Sequence, residues 1–369
     1  MSKAPEKKIR VLVVDDSAFM CKVLQQIIKS DPMLEVVGEA RDGREGIALA
    51  ESLQPDVITM DINMPHVDGL QATERIMAQN PRPIVIVSSE SREGATSTLK
   101  ALELGAIDFV PKPSSGIDLD MKSVSEDLTR KLKLAAKVRV VRTVTRSAPC
   151  AHTSPAVPDE RKATVTSTQA GMKFPIIVIA GSTGGPAAAS RVIAGLPKDF
   201  PAALVVVLHM PAAFTKQFTL QLAEVSSVPV KEAEAGEAVQ PGMIYVCPGS
   251  HHIRLSAGGR ITLDSGPRID GYRPCANVAL ESVAAYARGL ATAVVLTGMG
   301  DDAAKGAKAV DDAGGYVIAQ DESTSTIFGM PAEAIKVGAV DEVIPLDEIA
   351  GAIEKRVAKL SRLSPVAAR

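Results

Sequence analysis

Cysteine is scarce in this 369-residue sequence: Cys21, Cys150, Cys247 and Cys275 are far apart and none stands in a C-x-x-C pair. That spacing argues against a zinc site and against a disulfide framework, so all four read as ordinary thiols. Long apolar runs are also missing. The stretches Ala202 to Leu208 and Ala293 to Leu296 are strand-sized, far short of the roughly 20 apolar residues that a membrane-spanning helix needs. The opening residues Met1 to Arg10 are charged and lack the apolar segment of a secretory signal. A cytoplasmic chain without membrane insertion is the expectation. Charge of one sign is lacking too: the formal net charge is -2, so no broad positive field draws nucleic acid or an anionic lipid surface. Finally, no Lys follows the glycines at 181–185 and their spacing is not G-x-G-x-x-G, so both common nucleotide-binding loops are excluded there.

What is present is alternation. Ile9 to Val14, Glu35 to Glu39, Val57 to Met60, Ile84 to Val87 and Ile107 to Val110 read as strands, with helices starting near Ala18, Arg44, Gly69, Gly94 and Leu119. Five β/α units of this kind predict a doubly wound, five-stranded parallel sheet, with ligands at the carboxyl ends of its strands. Between about Val140 and Met172 the sequence turns to Ser, Thr, Ala and Pro with scattered charge, the composition of a tether. The preceding helix, Met121 to Lys137, is charged and Leu-spaced and could dock between domains. From Phe174 onward strand-like runs resume at Ile176 to Ala180, Ala203 to His209, Val228 to Val230, Ile244 to Cys247, Ala293 to Thr297 and Tyr316 to Gln320, and Leu346 to Leu360 reads as a closing helix. This half is expected to be an α/β domain with a mainly parallel sheet, an antiparallel hairpin being carried on it within Val230 to Asp264. The expected domains are residues 1–139, a flexible linker at 140–172, and residues 173–369.

Asp15 and Asp16 close the first strand and Asp61 closes the third, so a parallel sheet brings three carboxylates to its ligand edge. Any one of them alone reads best as a turn or cap residue. Together they repel one another, and a hard divalent cation such as Mg²⁺ would make them compatible. Ser88 at the end of the fourth strand and Lys112 after the fifth add a hydroxyl and an ammonium, able to hold a phosphoryl group on Asp61. With Val13-Val14-Asp15-Asp16-Ser17, Met60-Asp61-Ile62-Asn63-Met64-Pro65 and Val110-Pro111-Lys112-Pro113 in that order, the first domain resembles the receiver of two-component response regulators. The resemblance implies that Asp61 accepts a phosphoryl group from a sensor histidine kinase. It further implies that Asp15, Asp16, Asp61 and the Asn63 carbonyl surround Mg²⁺, and that Ser88, Phe109 and Lys112 are switch positions.

Ser182 lies in Gly181-Ser182-Thr183-Gly184-Gly185, directly after a strand-like run and before a helix-like one. Such a turn exposes a hydroxyl at a helix N-terminus, which suits either phosphate cradling or acyl transfer. His209 ends the next strand, and Asp301 and Asp302 follow Thr297-Gly298-Met299-Gly300 after another. A lone His at a strand end is more often a solvated residue, but Ser, His and Asp from three strand ends meet the requirement of a catalytic triad. The order Ser, His, Asp is not that of the α/β-hydrolases. Ser182-Thr183-Gly184-Gly185-Pro186, His209-Met210-Pro211, Pro248-Gly249, Arg273-Pro274, Leu296-Thr297-Gly298-Met299-Gly300 and Phe328-Gly329-Met330-Pro331 together resemble the chemotaxis protein-glutamate methylesterases of the CheB type.

That resemblance implies a phosphorylation-activated serine hydrolase that demethylates glutamate methyl esters, and deamidates glutamines, on the cytoplasmic helices of chemoreceptors. Ser182 would be the nucleophile, His209 the general base and Asp302 the orienting carboxylate, without a cofactor for the hydrolysis. Asp302 is chosen over Asp301 because the family pattern reads Gly-Met-Gly-x-Asp-Gly. Amides near Thr183, Met299 and Gly300 are candidates for holding the oxyanion. A monomer is expected. Two departures stand out: Ala303 replaces a usual Gly, implying strain if φ is positive there, and Asn277 replaces a usual Asp, implying one charge fewer in the substrate cleft. His251-His252 lacks ligand spacing and reads as plain loop. The rival readings are a response regulator with a non-catalytic DNA- or protein-binding output, and an esterase acting outside chemotaxis.

Overall fold

The computed structural model describes residues 7–89, 91–112, 118–138 and 174–363. The expected linker at 140–172, and Cys150 within it, lie outside the described residues. The N-terminal half alternates β1 (Ile9–Val14), α1 (Ala18–Ser30), β2 (Leu34–Ala40), α2 (Gly43–Leu53), β3 (Val57–Met60), α3 (Gly69–Gln79), β4 (Ile84–Ser88), α4 (Arg92–Glu103), β5 (Asp108–Pro111) and α5 (Asp118–Ala135). The strands form one parallel sheet in the order β2-β1-β3-β4-β5. Its helices start where the sequence supplies a polar cap: Ser17, Asp42, Asp68 and Ser91 each accept a hydrogen bond from an amide three residues on.

The C-terminal half contains β6 (Ile176–Gly181), α6 (Gly185–Ala194), β7 (Ala203–Leu208), α7 (Ala212–Val225), β8 (Val230–Glu232), β9 (Met243–Val246), β10 (His252–Leu255), β11 (Ile261–Asp264), α8 (Ala276–Ala287), β12 (Ala291–Val295), α9 (Ala304–Asp312), β13 (Tyr316–Gln320), α10 (Met330–Lys336), β14 (Glu342–Ile344) and α11 (Leu346–Leu363). Seven strands pair in the order β14-β13-β12-β6-β7-β9-β8, every pair parallel. The antiparallel hairpin is present as β10 and β11, but it forms a two-stranded sheet of its own rather than a part of the large one. The loop from Cys247 to His251 carries the chain away from the end of β9 before the hairpin begins.

Strand β6 shows why the central strands read as unbroken apolar runs. Ile177 and Ile179 enter one buried cluster, whereas Ile176, Val178 and Ala180 enter the cluster on the opposite face, as the two-residue side-chain period requires of a sheet covered on both sides. The first of these clusters continues from the N-terminal sheet through Leu99 and Phe109 into Phe214 and Phe218 of α7. The rings of Phe109 and Phe214 lie 4.3 Å apart. Apolar burial therefore joins the two halves, with α4 packed on α6 and α7.

Both sheets reverse their direction of growth once, between β1 and β3 in the first and between β6 and β12 in the second. At such a point the two connections leave in opposite directions and open a crevice at the strand carboxyl ends. The two candidate sites sit at these crevices.

Candidate active site and phosphoacceptor pocket

In the first crevice, Asp15, Asp16 and Asp61 place carboxylate oxygens within 4.8 Å of one another. Lys112 Nζ reaches across from the end of β5, 3.0 Å from Asp15 Oδ2 and 2.8 Å from Asp61 Oδ2. The approach to Asp15 is close enough for an ion pair but poorly directed, so that buried oxygen gains no hydrogen bond. Burial raises the Asp61 carboxyl above its usual range, with Lys112 opposing and Asp15 reinforcing the rise. Burial would lower the Lys112 ammonium, but its two carboxylate partners outweigh that and hold it above its ordinary value. A pocket with an under-satisfied carboxylate and mutually repelling charges fits a hard divalent cation with oxygen ligands. Ser88 is buried with its hydroxyl on the Gly94 carbonyl, 3.3 Å away, and Phe109 is turned inward. Asn63 is exposed at the rim.

In the second crevice, Ser182 follows β6 and is half-buried. Its amide donates to the Thr297 carbonyl at 3.1 Å, its carbonyl accepts from Gly185 N at 2.7 Å, and Thr297 Oγ1 donates to the Thr183 carbonyl at 3.0 Å. Thr297 is itself held by Gln320, whose side-chain oxygen accepts from the Thr297 amide at 2.8 Å. The loop after β12 packs so tightly here that a Cβ on Gly298 would come within 2.9 Å of Ser182 Cβ and 2.8 Å of its nitrogen. Helix α6 has no side-chain cap; Gly184 takes φ 75° at its start. The amides of Thr183, Met299 and Gly300 donate to no acceptor among the described residues, which leaves them available to an oxyanion.

His209 Nε2 lies 2.8 Å from Asp302 Oδ2. Asp302 is buried and receives four further donors: the Ala276, Asn277 and Ala303 amides at 2.6, 2.8 and 2.9 Å, and the Cys275 thiol at 3.2 Å. Burial would raise its carboxyl, but His209 and the amides at the start of α8 outweigh this and bring it down to about 2. The carboxylate is therefore ionised and fixed. His209 Nδ1 is buried without a hydrogen-bond partner among the described residues, so the His–Asp pair is assembled whereas the Ser182 hydroxyl is not yet bonded to the imidazole.

These two crevices carry the features of a receiver and of a serine hydrolase, and known proteins match both. Residues 177–353 match the family model described as CheB methylesterase, and residues 11–122 match the response regulator receiver domain. A protein-glutamate methylesterase/protein-glutamine glutaminase of Symbiobacterium thermophilum is 45% identical over 97% of this chain and 99% of its own length. The chain belongs to the CheB methylesterase family. A protein of the same name from Pyrococcus horikoshii is 44% identical over 95% of this chain and 94% of its own. Among solved structures, the Thermotoga maritima CheB methylesterase catalytic domain is 42% identical, covering 50% of this chain and 99% of that one with a TM-score of 0.49.

Within this CheB-family fold one neighbour of the site, Tyr272, had no sequence signal, and others take roles the sequence did not assign. Tyr272 stacks on the His209 ring, with centroids 4.2 Å apart and planes 20° from parallel. Asn277 corrects an expectation: it is buried and does not face a substrate cleft. Its side-chain oxygen accepts from Gly306 N at 2.8 Å, supplying from α8 the cap that α9 lacks, because Ala303 at the head of α9 offers no polar side chain. Ala303 does have the positive φ that a glycine would prefer, 77°. The His251-His252 pair is not all loop either: His252 opens β10, fully buried, with Nε2 3.0 Å from the Pro267 carbonyl. Cys21, Cys247 and Cys275 are buried free thiols, each pushed upward by burial. Among the described residues, no helix is long and apolar enough to cross a membrane.

The first domain reaches the second site directly. Thr183 donates its hydroxyl to Asp108 of β5, and Asp108 is paired with Lys131 of α5 at 3.1 Å. Arg130, also on α5, places a guanidinium nitrogen 3.2 Å from Met299 Sδ. The charged helix expected to dock between domains meets the second one through Arg130, while its Lys131 holds Asp108 from within the receiver.

Proposed function

We propose that this chain is a phosphorylation-activated protein-glutamate methylesterase and glutamine deamidase acting on chemoreceptor helices, with residues 1–139 as receiver, 140–172 as tether and 173–369 as catalytic unit. The observation that carries the reading is the bond between His209 and the buried Asp302 at the mouth of the same crevice as Ser182, in a chain whose relatives over nearly its whole length bear that name.

Ser182 Oγ attacks the ester carbonyl and its proton passes to His209 Nδ1, the ring nitrogen not engaged by Asp302. Asp302, held ionised by its donors, stabilises the imidazolium. The amides of Thr183, Met299 and Gly300 take up the negative charge on the tetrahedral oxygen. His209 returns the proton to the departing methanol, and a water deprotonated by His209 then cleaves the acyl-enzyme to leave glutamate. A glutamine substrate follows the same course with ammonia departing.

In the receiver, Asp15, Asp16, Asp61 and the Asn63 carbonyl would hold Mg²⁺, which offsets the charge of a phosphoryl group arriving from a sensor histidine kinase. Lys112 and the Ser88 hydroxyl then bind the oxygens on Asp61, drawing Ser88 from Gly94 and weakening the packing of β5 and α5 on the Ser182 loop. The protein works as a cytoplasmic monomer. Methanol release from methylated receptor membranes tests the reading. Wild type treated with a small phosphodonor should release methanol, Ser182→Ala should not, and Asp61→Ala should stay at the untreated rate. Release by Ser182→Ala at the wild-type rate would remove Ser182 from the mechanism.

A further inference from the structure

The loop between β11 and α8, with the first turn of α8, performs two tasks in neighbouring residues. Cys275, Ala276 and Asn277 supply donors to Asp302, which fixes one edge of the His209 ring. Tyr272, three residues earlier, covers the face of the same ring. The loop is braced at several points: Ile269 and Tyr272 exchange backbone hydrogen bonds of 3.0 and 2.9 Å, and Arg273 binds the Ser265 and Gly266 carbonyls at 2.9 and 2.7 Å. The Tyr272 hydroxyl makes no hydrogen bond among the described residues, so what this side chain offers His209 is its ring.

An aromatic face in this position does two things to an imidazole. It blocks rotation out of the plane in which Nε2 meets Asp302, and its quadrupole attracts the ring once that ring becomes a cation. The second effect is absent in the resting enzyme and appears as the proton leaves Ser182, which is the condition for lowering a barrier rather than merely tightening a fold.

We propose that Tyr272 is a positioning residue for the general base, its ring holding the His209 imidazole in register with Asp302 and stabilising the imidazolium. This rests on the role assigned to His209 above. The charged and titratable groups around the pair are Asp302 at the ring edge, Cys275 and Asp301 on the adjoining loops, and Arg130 from α5. Because Arg130 belongs to the receiver, the comparison is made in the full chain activated with phosphodonor.

Methanol release is measured against pH for wild type, Tyr272→Phe and Tyr272→Leu, with Tyr272→Met as a second apolar variant should Leu fail to fold. Phe should stay within about threefold of wild type with the same profile. Leu or Met should lower kcat by about tenfold with KM little changed, and should move the acidic limb to lower pH by about half a unit to one unit. A second readout needs no turnover: in a Ser182→Ala background, the NMR titration of the His209 ring should move to lower pH in Tyr272→Leu but not in Tyr272→Phe. An unmoved titration overturns the proposal, and so does a Phe variant as impaired as Leu, which would assign the effect to the hydroxyl. Absence of methanol release from wild type would instead defeat the esterase reading, leaving the NMR comparison to decide Tyr272.

Discussion

Thr183, the residue after Ser182, gives its hydroxyl hydrogen to the carboxylate of Asp108 in the receiver. This bond ties the Ser182 loop to β5, the strand that carries Phe109 and leads into Lys112. It is buried on both sides and backed by Lys131, which also meets Asp127 at 3.2 Å and the Phe109 carbonyl at 2.6 Å. A shift of β5 therefore bears directly on the loop that holds Ser182.

Asp108→Ala should raise the activity of the unphosphorylated chain. A hydrogen bond to a charged acceptor contributes about 1.5–3 kcal/mol, so its loss shifts the docked state toward the open one by roughly tenfold to a hundredfold. Thr183→Ser, which retains the hydroxyl, should keep the low basal rate. The check is methanol release without phosphodonor; a basal rate unchanged in Asp108→Ala would mean that the latch does not restrain the enzyme.

Divalent metal should act on the receiver independently of any turnover. Lys112 is the cation seen between Asp15 and Asp61, so Lys112→Met leaves buried carboxylates facing one another. Removing one partner of such a cluster costs about 3–5 kcal/mol. Bound Mg²⁺ should recover much of that, so adding Mg²⁺ should raise the unfolding midpoint of Lys112→Met more than that of wild type. Equal or absent shifts in thermal unfolding with Mg²⁺ and with chelator would argue against a metal site at these carboxylates.

Ala303 shows that local strain need not be relieved by the obvious change. Its φ of 77° costs an L-residue about 1–2 kcal/mol, which Gly would recover. But Ala303 is wholly buried in the catalytic core, so its methyl contributes about 1 kcal/mol, and Gly adds about 0.5–1 kcal/mol of chain entropy to the unfolded state. Ala303→Gly should therefore stay within about 1 kcal/mol of wild type in urea unfolding, whereas Ala303→Val, β-branched at positive φ, should lose several. A large gain for Gly would show that the methyl is not packed.

The parts of this molecule that could be read in the sequence are those in which strand ends do the work. Asp15, Asp61, Lys112, Ser182, His209 and the Asp301-Asp302 pair all follow apolar runs closely, and a parallel sheet must gather such positions at one edge. What could not be read is supplied by side chains arriving from elsewhere in the chain. Tyr272 and Asn277 come from a loop and a helix start whose paths are set by the detached hairpin and by Asp302. The Thr183–Asp108 bond crosses between domains. Strand β14, three residues long with Val343 exposed, carries too little apolar pattern to stand out.

With Asp302 in the orienting role proposed above, its ionisation links catalysis to stability. Its carboxyl falls from the ordinary 3.8 to about 2, so it stabilises the fold wherever the unfolded chain would also be ionised, above about pH 4, and loses that contribution as pH falls through the folded value. The shift corresponds to about 2 kcal/mol. Asp302→Asn presents an amide to a site built from donors, so it should lower stability near neutrality by that amount or more. The gap to wild type should narrow toward about pH 3, because protonation costs the wild type what the substitution has already removed from the variant. A neutral side chain also cannot stabilise imidazolium, and the rate of methanol release should fall by about three to four orders of magnitude. Urea unfolding near neutrality and in acid separates the two effects. A gap that holds constant or widens as the pH drops would show that Asp302 does not ionise as its five donors require.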